Sequence, residues 1–106
     1  MVMEIVITDE NYSEYASQNK PMMIDFSATW CGPCKKMAPI IEELGKKYDG
    51  RIIVGKVDVD ENPEITSQFG IRNIPTILFF KDGQVVDKTV GAIPANDVEA
   101  KMEKLL

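Results

Sequence analysis

Short apolar runs alternating with amphipathic stretches predict an α/β fold, a central mixed five-stranded sheet flanked by four helices on both faces. Two runs, 22–28 and 51–59, are of strand length and nearly continuously apolar, as in strands buried on both faces, and each is followed by a helical pattern. That alternation implies parallel pairing. At the other end of the chain, runs 74–80 and 84–90 flank the tight turn Lys81-Asp82-Gly83-Gln84, which adds an antiparallel hairpin. The element order is βαβαβαββα in one domain spanning residues 1–106, with no repeat, linker or low-complexity segment.

The β-branched stretch 4–7 is expected to form an outer strand. Thr8 or Asp9 is placed to cap a helix running to about Gln18, with Tyr12, Tyr15 and Ala16 on one face. Asn19-Lys20-Pro21 reads as a turn into the strand 22–28, where Asp25 interrupts the apolar run. A carboxylate buried there is costly unless it is paired, neutral or used. Pro33 suits the first turn of a helix, where its missing N–H is not needed. Cys34, Met37, Ala38, Ile41, Leu44 and Tyr48 then form one expected core-facing stripe, with a kink at Pro39 and an end at Asp49-Gly50. The strand 51–59 is rich in Ile and Val and carries Lys56. Asn62-Pro63 reads as a cap and first-turn proline, Ile65 and Phe69 as a short apolar face, and Gly70 as its stop. Pro94 opens a last helix that buries Val98, Met102 and Leu105 and leaves its charges in water.

Bulk properties exclude several functions. Hydrophobic residues make up 44% and charged residues 27%, as in an ordinary globular domain. The net charge of −5 and the lack of a basic run argue against nucleic acid as a partner. There is no histidine, and two cysteines fall short of the four ligands of a structural zinc site. No apolar run reaches the length of a membrane span, and residues 1–7 carry an early Glu and no basic segment, unlike a signal peptide. A cytoplasmic, reducing compartment is the expectation.

The only two cysteines and the only tryptophan fall together in Trp30-Cys31-Gly32-Pro33-Cys34-Lys35. A disulfide closing so small a ring stabilises a fold by only ~2 kcal/mol on the chain-entropy model, so it is a weak staple and better explained as a pair that opens and closes. Cys31 lies between a strand end and a helix start, where unpaired N–H groups and the helix dipole favour a thiolate. Pro33 has no N–H to add, so Gly32-Pro33 is expected to keep the dithiol reducing. Cys34 begins the buried face one turn later. Cys31 is therefore expected to attack an external disulfide and Cys34 to resolve the mixed disulfide. Asp25 is the candidate base for Cys34, against the alternative of a buried carboxylate satisfied by Lys56 or water. Lys56 either modulates Asp25 or extends its stem to solvent.

These residues, with Ile24-Asp25-Phe26 before them, resemble the thioredoxin family. The resemblance extends through Pro39, Asp58, Asp60, Asn62-Pro63, Gly70-Ile71-Arg72, Ile74-Pro75-Thr76, Gly83 and Gly91, and covers essentially the whole chain. It implies a thioredoxin fold and a protein-disulfide reductase with no bound cofactor. Reducing equivalents would come from NADPH through a flavin-dependent thioredoxin reductase. That reductase and disulfide-containing proteins are the implied partners of a monomer. It also implies a cis Pro75 facing the cysteines, with the Ile74 backbone binding an extended substrate segment as an added strand. Trp30, Gly32, Pro33, Gly70, Ile71, Ile74, Gly91, Ala92 and Ile93 would form the docking surface. Ser27, Thr29 and Asn73 depart from common family residues beside the site and bear on partner preference and redox poise. The rival activities are a disulfide oxidant or isomerase in an oxidising compartment, and a binding module with incidental redox turnover.

Overall fold

Strand β2 (Met22–Ser27) is the axis of the molecule, buried along nearly its whole length because it pairs on both sides. A computed structural model of the chain describes residues 4–106, so residues 1–3 of the expected domain and N-terminal segment lie outside the described residues. The elements in chain order are β1 (Ile5–Val6), α1 (Tyr12–Ala16), β2, α2 (Gly32–Lys47), β3 (Ile53–Asp58), α3 (Pro63–Gln68), β4 (Thr76–Lys81), β5 (Gln84–Val90) and α4 (Ala95–Glu103). The sheet order is β1-β3-β2-β4-β5, with β1 and β2 parallel to β3, and β4 antiparallel to both β2 and β5. This is the expected α/β thioredoxin fold, a five-stranded mixed sheet with four helices.

Alternation along each strand divides the core into two layers. Met23, Val54, Ile77 and Phe79 pack with Met37, Ile41 and Leu44 of α2 and with Val98 and Met102 of α4. Ile24, Phe26, Val57, Leu78 and Phe80 face the opposite way and pack with Ile65 of α3. Tyr12 of α1 and Phe69 join this second layer, with Phe69 edge-on to Tyr12 and to Phe80, each at 5.5 Å between ring centroids. Gly55 makes room for the first strand, since a Cβ there would overlap the Ile7 side chain. The hairpin between β4 and β5 turns on Asp82 and Gly83, both with positive φ, which is the two-residue turn chemistry that the sequence displays.

Two local expectations are corrected. Asp9 does not cap the helix that follows it. Its carboxylate accepts the backbone N–H groups of Ile65 at 2.8 Å and Glu64 at 3.3 Å, at the start of α3, while Thr8 and Asn11 bond each other across the start of α1. A capping side chain serves whichever free helix N–H groups lie within reach, and folding brings those of α3 beside Asp9. Ala38 is exposed rather than core. The buried positions of α2 are Cys34, Met37, Ile41, Leu44 and Gly45, and Ala38 sits at the flank of that stripe, where it lines a cavity. α2 is one continuous helix from Gly32 to Lys47 with Pro39 inside it.

Candidate active site

The end of β2 and the start of α2 form the site. The chain leaves β2 at Ser27, turns through Ala28–Trp30, and enters α2 with Cys31 as its N-cap and Pro33 in the first turn. The cap is unusual in its chemistry, since the Cys34 backbone N–H donates to the Cys31 sulfur at 3.2 Å. A sulfur that receives a helix N–H is stabilised as an anion when the pair is reduced. Cys31 and Cys34 are joined here as a disulfide with a Cα–Cα distance of 5.3 Å. Both are buried in this oxidised form, at 5% and 4% exposure, so accessibility does not separate the expected attacking and resolving residues.

Around the pair the surface is apolar and open. Trp30 is 68% exposed and is oriented by its indole N–H, which donates to the Asp60 carboxylate at 2.7 Å. Gly32 and Pro33 are exposed beside it. Across the site, the Ile74–Pro75 peptide is cis, and the Ile74 carbonyl oxygen lies 3.9 Å from the Cys31 sulfur. Among the described residues Ile74 makes no backbone–backbone hydrogen bond, so its amide and carbonyl are available to an added strand. The Thr76 hydroxyl donates to the Asn73 carbonyl at 2.5 Å, and the Gly91 N–H donates to the Pro75 carbonyl at 2.8 Å, tying the loop after β5 to the same edge. Ala92 is exposed and Gly91 partly so, whereas Ile93 packs partly into the core between the sheet and α4.

Beneath the disulfide lies a cavity of about 490 Å³ lined by Asp25, Cys34, Ala38 and Lys56 among others. Asp25 is 4% exposed, and its Oδ1 has no hydrogen-bond partner. Burial pushes the Asp25 carboxyl up from 3.8 to about 7, Glu4 adds to the rise, and Lys56 opposes it. Asp25 and Lys56 are cross-strand partners in the β2–β3 register, so their side chains leave the same face of the sheet. Lys56 itself is exposed and makes no ion pair among the described residues. The structure thus brings together Cys31, Cys34, Asp25, Lys56, Trp30, Ile74 and Pro75 from four separate segments.

Two contributors were not apparent from the sequence reading. Glu4 lines the same cavity as Asp25, and Asp60 holds the indole of Trp30. The alternation in Glu4-Ile5-Val6-Ile7 places Glu4 opposite the apolar face of β1, but the strand to which that face is presented depends on the sheet order.

Comparison with known proteins agrees with this geometry. The family model described as Thioredoxin matches residues 3–104. The chain is 46% identical over 101 residues to Thioredoxin 1 of Nostoc sp., covering 94% of each protein. It is 47% identical over 98 residues to Thioredoxin of Chlorobaculum thiosulfatiphilum, covering 92% of this chain and 91% of that one. It is also 45% identical over 101 residues to Thioredoxin M-type, chloroplastic, of Spinacia oleracea, covering 94% of this chain and 56% of that longer protein.

Proposed function

The chain belongs to the thioredoxin family, and on that premise we propose how its redox-active Cys31–Cys34 pair works: Cys31 attacks, Cys34 resolves, and Asp25 takes the proton that Cys34 must lose. The protein is a protein-disulfide reductase acting by dithiol exchange. The reading is carried by one observation. The Cys34 N–H points at the Cys31 sulfur, while the Cys34 side chain lines the cavity that holds Asp25.

In the reduced protein, the Cys31 thiolate attacks one sulfur of a substrate disulfide. A Cys31–substrate bond forms, the substrate S–S bond breaks, and one substrate thiolate leaves. Cys34 then gives its proton to Asp25, whose midpoint near 7 suits transfer at neutral pH. The Cys34 sulfur attacks Cys31, the Cys31–Cys34 disulfide closes, and the second substrate thiolate leaves. Two electrons pass from the protein to the substrate. Lys56 modulates Asp25 from the neighbouring strand.

The substrate docks as an extended segment on the free Ile74 backbone, with Trp30, Gly32, Pro33, Pro75, Gly91 and Ala92 around it and Ile93 supporting the surface from below. The oxidised pair is returned to the dithiol by electrons from NADPH through a flavin-dependent thioredoxin reductase, with no cofactor bound to this chain. The chain acts as a monomeric single domain, residues 1–106, in a reducing cytoplasm where that recycling can run. No helix among the described residues is long and apolar enough to cross a membrane.

Cys34→Ser tests the order of events. With a protein disulfide as substrate it should accumulate a covalent adduct on Cys31, visible by mass spectrometry and reversed by dithiothreitol. Cys31→Ser should form none and reduce nothing. Recovery of only free substrate from Cys34→Ser, or an adduct on Cys34, would overturn the assignment.

A further inference from the structure

The cavity beneath the disulfide holds a second partly buried carboxylate, and the mechanism above does not use it. Glu4 lies immediately before β1, with Val6 two residues on and on the same side of the strand. Val6 is in register with Lys56, and Lys56 is in register with Asp25. Because β3 lies between β1 and β2, Lys56 lies on the strand between those of Glu4 and Asp25 and on the same face, with Glu4 two residues before the position in register with it. Lys56 is ion-paired to neither carboxylate among the described residues, yet its charge acts on both. Two carboxylates with one compensating cation between them cannot both be fully stabilised as anions, and their protons are coupled.

We propose that Glu4 is a positioning residue for the resolving step: it competes with Asp25 for the charge of Lys56 and so governs the pH range over which Asp25 accepts the Cys34 proton. This rests on the reading of Asp25 as the proton acceptor.

The other charges that face the cavity are Glu10 from the segment before α1, Lys35 from α2, Asp58 at the end of β3, and Glu61 beyond it. With Glu4 and Asp25 they make five carboxylates against the two ammonium groups of Lys35 and Lys56, so the cavity is acidic and cation-poor. Asp58 is engaged elsewhere, accepting the backbone N–H groups of Asp60 and Glu61. β4 presents apolar Ile77 opposite Asp25. Of the charges around the cavity, Glu4 raises the Asp25 carboxyl and Lys56 lowers it. Glu4 responds in kind. Burial raises its carboxyl, Lys56 lowers it, and Glu42 of α2 raises it again.

The test is a carbon-13 carboxyl titration of the full chain, reduced, as wild type, Glu4→Gln and Glu4→Asp, paired with the pH profile of mixed-disulfide resolution in the same three proteins. In Glu4→Gln the Asp25 midpoint should fall below that of the wild type and the resolution profile should move to lower pH with it. Glu4→Asp, which keeps the charge, should restore both toward wild type. A merely structural role for Glu4 would change stability and leave the Asp25 midpoint in place, and that result overturns the proposal. A midpoint that falls while the resolution profile stays fixed overturns it by a different route, since Asp25 would then not be the acceptor. The titration and the kinetics thus separate failure of the coupling from failure of the reading on which it rests.

Discussion

The two faces of the sheet are built from the same strands and have different polar content. On the α1/α3 face, Ile24, Phe26, Val57, Leu78 and Phe80 close against Ile65, Tyr12 and Phe69, and the buried polar side chain opposite Phe26, Thr76, has its hydroxyl bonded to the Asn73 carbonyl. On the α2/α4 face one row across the sheet reads Val6, Lys56, Asp25, Ile77, Thr89. Among the described residues, the buried side-chain atoms without a hydrogen-bond partner are Asp25 Oδ1 and Thr89 Oγ1, and both lie in that row. One face is optimised for packing. The other gives up packing along the single row that runs beneath the disulfide. The contrast teaches that a buried carboxyl is placed by sheet register and kept titratable near neutral pH by burial without a partner for its Oδ1.

The difference should be measurable as a difference in pH dependence. The folded-state carboxyl of Asp25 is raised from 3.8 to about 7, so between roughly pH 4 and pH 7 the folded protein binds more protons than the unfolded chain. The Asp25 contribution to stability therefore falls as pH rises through that window, by a total on the order of 4 kcal/mol, and is level above it.

The largest expected effect is on the apolar face. Phe80→Ala should lower the unfolding free energy by ~3–5 kcal/mol, by the same amount at pH 5 and pH 8, as read by urea denaturation. A strongly pH-dependent loss would show that the two faces are not energetically separate. Asp25→Ala should do the reverse on the other face. It should stabilise the protein at pH 8 by up to about 4 kcal/mol, reduced by the packing lost on truncation, and the gain should vanish toward pH 4. A constant difference across that range would mean that the carboxylate is not the source. The smallest effect belongs to Thr89→Val, which removes an orphaned hydroxyl at nearly constant shape. It should be neutral or stabilising by about 1 kcal/mol without changing the pH profile. A clear destabilisation would reveal a partner for that hydroxyl.

How far the sequence could be read follows the same division. The order of elements, the hairpin turn and both apolar layers were legible because alternation and helical spacing report the face that each residue occupies within its own element. Cys31 and Cys34 were legible because their chemistry is local. Asp25 stood out as a carboxylate in an apolar run, and Pro75 came through the family resemblance. What was hidden depends on contacts between elements. Asp9 looks like a cap for the helix beside it, and only the packing of α3 against that loop gives it another N-terminus. Ala38 fits the apolar stripe of α2 but is exposed and lines a cavity rather than packing in the core. Glu4 reads as the edge of a short strand until the order β1-β3-β2 puts the strand of Lys56 between it and Asp25.

The claim that the polar row exists for proton transfer is tested most directly by the two half-reactions of Asp25→Asn, measured separately by stopped flow. Attack of Cys31 on a disulfide substrate should proceed near the wild-type rate. Resolution by Cys34 should slow, and its pH profile should lose the inflection near 7. Equal slowing of both steps, or an inflection that survives the substitution, would contradict the account.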